Sequence, residues 1–311
     1  MRPNGVVSVL PRGVARLAGL ALGAILGLGS AISGCAPAPA DESMLEPAPS
    51  SASPVRDDLP EWADALLGES PARGWRERSV RDDLVVLGGN GTVDVVEIDA
   101  IGREAIVAVE RAWHVPWPRR VLVVAPADRA QLATVIGVPA ERSAAAMAIR
   151  RPGLGSFVVL DPAAWAQATS AGRRALLIHE TVHLAVESGD EPRPESRAAE
   201  PAWLREGFAQ DVAYRAIGAT PARIAPDLLA RIARDGPPDR LPIASDFEGT
   251  GTAREDAYAL AWLAIRTVRR LGGDDAPRRA QEARSLAPLG IDPDTVLRAW
   301  QSDLRAAAQV R

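Results

Sequence analysis

Apolar positions along this chain recur with two different periods, and the change from one to the other divides the sequence. Before about residue 161 the runs are short and suit strands. Leu84 to Leu87 leads through Gly88-Gly89-Asn90-Gly91 into Thr92-Val93-Asp94-Val95-Val96-Glu97-Ile98, which alternates with period two. That pattern predicts a β-hairpin turning at Asn90-Gly91. Asn90-Gly91-Thr92 also fits a glycosylation acceptor, but the turn accounts for it. A helix is expected over about 101–113, a strand over 120–124 and a helix over about 128–136. Two more strands, 144–150 and 156–160, flank Pro152-Gly153-Leu154-Gly155. The sum is a small mixed sheet with helices on one face.

Beyond that point the period becomes helical. Leu176, Leu177, Val182 and Leu184 give an apolar face to a helix over about 171–186, with Ser170 as its cap. A second helix opens at Pro201 and carries Trp203, Leu204, Phe208 and Val212 on or near one side before Gly218 stops it. Helical pattern continues, broken at 236–238 and 248–252. It resumes over about 254–271, where Gly272-Gly273 ends it, and a last helix runs over about 293–308. The expected class is α+β, with a sheet-bearing subdomain over about 61–170 and a mainly helical one over about 171–311.

The first residues read as a leader. Arg2, Arg12 and Arg16 precede an apolar run from Leu17 to Ile32, followed by small residues and Cys35. A basic start, an apolar middle and a small-residue cleavage site describe a secretory signal over 1–34. Small residues ahead of a cysteine resemble the bacterial lipobox, which implies that Cys35 is lipidated and anchors the mature chain outside the cytoplasmic membrane. Residues 35–60, rich in Ala, Pro and Ser, bury too little to fold and read as a tether. With one cysteine no disulfide forms within the chain, so stability rests on the core, for which 47% hydrophobic residues are ample. A net charge of −4 and a pI near 5.6 offer no basic face for nucleic acid. All 36 basic residues are arginine, as a G+C-rich coding bias produces.

The chemistry concentrates at His179-Glu180-Thr181-Val182-His183. Side chains at i and i+4 share one face of a helix, so two imidazoles there can grip one metal ion. Glu180 turns its carboxylate to the edge of that face, where a general base is needed if zinc is to activate water. Catalytic zinc typically takes three protein ligands. Glu206 supplies a candidate: it sits among apolar neighbours with no cationic residue four positions on, and a carboxylate on a buried face needs a cation. His114, the third histidine, reads as a loop residue. The eight tryptophans are scattered and read as core. Residues 187–200 form an acidic, proline-bearing loop, solvated by default, that would favour a cationic substrate if it rims the site.

HETVH followed by Trp203-Leu204-Arg205-Glu206-Gly207-Phe208-Ala209 resembles the gluzincin metallopeptidases. The resemblance implies a zincin-like fold with a cleft between two subdomains, and one Zn2+ held by His179, His183 and Glu206. It implies Glu180 as base and proton shuttle, and a sheet-edge strand that pairs with the backbone of a peptide or protein substrate. In that family a tyrosine or histidine beyond the third ligand steadies the oxyanion; Tyr258 is the candidate, Tyr214 being the other tyrosine. No Gly-x-Met-Glu-Asn-like segment precedes the zinc helix, which favours endopeptidase over aminopeptidase action. The competing expectation is a surface lipoprotein that keeps the fold and the metal but acts as a binding or scaffolding protein.

Overall fold

The computed structural model describes residues 18–19, 59–67, 75, 77–89, 93–137, 144–151, 153–188, 200–249 and 251–309. Cys35, the tether, Asn90-Gly91 and most of the acidic loop lie outside them. The architecture is α+β. A mixed sheet has the order β1-β5-β6-β4-β3-β2, where β1 is Ala18–Gly19, β2 Glu77–Val80, β3 Leu84–Gly88, β4 Val121–Ala125, β5 Ala146–Arg151 and β6 Gly155–Leu160. The pairs β3–β4 and β4–β6 are parallel, and the others are antiparallel. Five of these strands make up the body of the sheet; β1 contributes only two residues.

Two expectations are corrected. Leu84–Gly88 does not turn back on the residues after it; it pairs antiparallel with β2 before it and parallel with β4 beyond. The chain between is helix α2, Val95–Trp113, which starts well before the expected residue 101. Asp94 caps it, accepting from the N–H groups of Val96 and Glu97. Parallel strands need a crossover, and a helix supplies it. Within and just beyond the seven residues read as alternating strand, Val95, Ile98 and Ile101 fall at helical spacing, and these side chains join the apolar cluster on the sheet.

Helices also cover both faces of the sheet, not one. Leu84, Val86, Val121, Val123, Ala146, Ala148, Val158 and Leu160 point to one side. Val85, Leu87, Leu122, Val124, Met147, Ile149, Phe157 and Val159 point to the other. Central strands that are apolar on both faces require two covers. Helix α1 (Glu61–Leu67) and helix α3 (Arg129–Ile136) close the second face. On the first lie α2 and, after the short α4 (Pro162–Gln167), helix α5, Ser170–Glu187.

All described residues after α5 are helical or connecting. Helix α6 is Ala202–Ala216; α7 (Pro221–Ile224), α8 (Pro226–Asp235) and α9 (Ala244–Glu248) follow; α10 is Thr252–Gly272, α11 Ala276–Ala283 and α12 Pro293–Gln309. One apolar core runs from the first sheet face through α5 into α6, α10 and α12. Five of the eight tryptophans, Trp113, Trp165, Trp203, Trp262 and Trp300, are buried as expected of core residues, while Trp62, Trp75 and Trp117 are only half-buried. Among the described residues no helix is long and apolar enough to cross a membrane. Two residues of the expected leader, Ala18 and Gly19, lie along the outer edge of β5 opposite Ala148 and Met147. An unpaired strand edge accepts any extended backbone.

Candidate metal centre

Helix α5 is capped by Thr169, whose hydroxyl accepts from the Gly172 N–H at 3.1 Å, and not by Ser170, its first residue. One turn apart on it, His179 and His183 bring their Nε2 atoms to 3.0 Å, with ring centroids 4.7 Å apart. Helix α6 crosses beside them and presents Glu206, whose Oε2 lies 3.5 Å from His179 Nε2 and 3.4 Å from His183 Nε2. The crossing depends on Gly207: a Cβ there would sit 2.5 Å from the Ala261 carbonyl oxygen of α10. The glycine after the glutamate is thus a packing requirement that seats its neighbour.

His179, His183 and Glu206 form the group of side chains that could hold a metal ion, and they are only 1–2% exposed. Glu206 Oε2 has no hydrogen-bond partner, nor does His179 Nδ1. Buried polar atoms are nearly always satisfied, and a carboxylate oxygen 3.4–3.5 Å from two imidazole nitrogens can be satisfied here by a metal cation or, without one, by an imidazolium. Glu206 is not without a basic neighbour, as its spacing suggested: Arg205, the preceding residue, donates its Nε–H to Oε1 at 3.0 Å.

The electrostatics are those of three ligands sharing a proton. Burial opposes a charge on His183, yet Glu206, Glu180 and Glu187 outweigh it and raise its pKa to about 9. Burial pulls His179 down, against Glu206. Burial also opposes the Glu206 carboxylate, but His183, His179 and Arg205 hold it well below the ordinary range. An imidazolium beside a carboxylate is what a metal cation replaces, releasing the proton.

Glu180 is fully buried next to this group. Its Oε2 accepts the Ala148 N–H of β5 at 2.8 Å, while Oε1 has no hydrogen-bond partner. Burial pushes its pKa up to about 8, opposed by His183 and the Ala148 N–H. Tyr258 of α10 stands edge-on to His179, centroids 5.9 Å apart, and to Phe247 at 5.1 Å. Burial holds its phenol above the ordinary value, so its hydroxyl keeps its proton and remains a donor. Tyr214 packs instead on Trp262, and His114 ends α2 as an exposed residue with φ 54°.

Sequence reasoning missed four participants. Gln210, four residues after Glu206 and so on its face, is buried beside this group and acts on the His179 imidazole, and its spacing could have found it. Arg254, one turn before Tyr258, has its guanidinium 5.9 Å from that ring. The third is Arg205. The Ala148 N–H is a backbone group and leaves no signal in sequence. A cavity of about 300 Å³, bounded by Trp62, Trp117, Arg150, Leu184 and Glu187, lies further along α5 and is not lined by the metal group.

Comparison of the chain with protein-family models finds no match, and no curated protein matches it.

Proposed function

We propose that the chain is a zinc-dependent peptidase of zincin-like fold, tethered outside the cytoplasm through Cys35, with endopeptidase action favoured. The observation that carries it is the convergence of two Nε2 atoms and one carboxylate oxygen at 3.0–3.5 Å from one another. Zinc bonds to nitrogen and oxygen of about 2.0–2.1 Å, in tetrahedral arrangement, separate neighbouring donors by roughly 3.3 Å. The donor set and its spacing suit zinc with one position left open.

When bound, zinc supplies a Lewis acid that polarises a carbonyl and makes water more acidic. A bound cation would favour the carboxylate form of Glu180, which, fixed through Oε2 by the Ala148 N–H, would have Oε1 available to take a proton from water and return it to a leaving amine. Tyr258, protonated and beside His179, donates to the developing oxyanion. The outer edge of β5, where Ala148 lies and where an extended segment already pairs, favours a peptide running antiparallel to it. The acyl anchor is argued from the sequence alone.

Near-complete burial of the group favours a second reading, a metal-holding binding protein without turnover. The test is zinc content of the purified chain beside His183→Ala and Glu206→Ala, followed by a peptide-library screen. One zinc per chain, weakened in both variants, together with cleavage supports the peptidase. Zinc without cleavage selects the binding protein, and no zinc uptake ends both.

A further inference from the structure

Glu206 has two oxygens, and they meet different surroundings. Oε2 faces the histidines. Oε1 is held by the Arg205 Nε–H at 3.0 Å. With Val186, Glu187, Glu200 and Arg284, Arg205 surrounds a small gap where the end of α5, the start of α6 and the end of α11 meet. The carboxylates of Glu200 and Glu187 act on its charge after Glu206 does. Glu200 is fixed in turn by the Gln281 side-chain amide at 2.7 Å, and Gln281 is 1% exposed. The guanidinium therefore stands between Glu206 and the carboxylates of Glu187 and Glu200, at the meeting of three helix ends.

We propose that Arg205 is a positioning residue that makes Glu206 a one-oxygen metal ligand. A carboxylate can bind a metal ion through one oxygen or both, and binding through both would fill the position that the reaction needs for water or substrate. Swinging Oε1 toward the metal means breaking a charge-assisted hydrogen bond. Arg205 thus keeps the coordination position open and fixes the direction of Oε2. Partners of this kind, one bond removed from the metal, typically change affinity by roughly 10- to 100-fold when replaced.

This inference rests on the metal reading above but not on peptidase activity. The experiment compares wild type, Arg205→Gln and Arg205→Lys by zinc affinity in chelator competition and by the visible spectrum of the cobalt(II)-substituted chain. In wild type the strong bands of four-coordinate cobalt are expected. In Arg205→Gln the affinity falls by roughly 10-fold or more and the bands weaken toward those of a five-coordinate ion. Arg205→Lys, which keeps a cationic donor, recovers part of both. A spectrum and affinity unchanged in Arg205→Gln overturn the inference and leave the metal site standing; no metal uptake by wild type overturns both. X-ray absorption on zinc-loaded wild type needs no variant, and two carboxylate oxygens bound to zinc would also overturn it.

Discussion

The two faces of the sheet are made of alternate residues of the same strands, yet they differ in kind. The face under α1 and α3 carries an apolar cluster: Val85, Leu87, Leu122, Val124, Met147, Ile149, Phe157 and Val159 gather with Leu66, Leu132 and Val135. Under α5, β5 offers Ala146 and Ala148, where on the other face it offers Met147 and Ile149. The small pair lets α5 approach until Glu180 reaches the Ala148 N–H. Alternation with period two thus lets one strand fill a core on one side and admit a polar helix on the other. An apolar cover loses stability in proportion to the volume removed, whereas a face that carries buried charge also loses alignment.

The sharpest way to separate the faces is Glu180→Gln. On the peptidase proposed above, turnover should fall by roughly 10³-fold, within the span usual for acid–base groups, while zinc binding is kept. Turnover kept at the wild-type level would remove Glu180 from the chemistry. Next in size is Phe157→Ala on the far face, which should cost about 4 kcal/mol in urea unfolding and leave zinc affinity of the folded chain unaltered. A matching loss of zinc affinity would mean that the faces are not independent.

Smaller still is the exchange of size along β5. Ala148→Leu should cost about 2 kcal/mol by overpacking and should weaken zinc binding as α5 is pushed outward, whereas Met147→Leu should cost less than about 1.5 kcal/mol and leave zinc alone. Equal effects on zinc would refute the role given to the small residues.

The smallest effect concerns a charge remote from the metal. Asp99 accepts from Arg81 Nε at 2.8 Å and from the Ser79 hydroxyl at 2.9 Å. Burial works to raise its pKa, but these bonds outweigh it and hold it below the ordinary value. A folded pKa below the unfolded one adds stability above the unfolded value, about 3.9, that disappears as pH falls through the folded one. Asp99→Asn should therefore cost about 1 kcal/mol at pH 7, allowing for solvent screening. That deficit should shrink below about pH 4 in parallel unfolding titrations. A deficit independent of pH would assign the loss to packing.

Much of this was legible in the residues. Helical spacing determined α5, α6 and α10 to within a few residues, and strand-like runs located β4, β5 and β6, because each burial pattern repeats locally with the period of its own element. His179, Glu180 and His183 were brought together by one turn of one helix, and Glu206 declared itself as a carboxylate among apolar neighbours. The residues around Asp94 misled, since Val95, Ile98 and Ile101 satisfy helical spacing while the intervening residues mimic alternation. Pairing of β3 with β4 decided the matter, and that contact joins residues 37 positions apart.

What only the tertiary structure decided are relations that no local period encodes. The second cover on the sheet, the Ala148 N–H on Glu180, the choice of Arg205 as partner of Glu206 and the approach that Gly207 permits all join different elements or backbone atoms. Spacing reports which face of an element is buried, but not what is packed against it. The histidines could be paired from sequence because one helix carries both; the third donor's direction had to wait for the crossing of two.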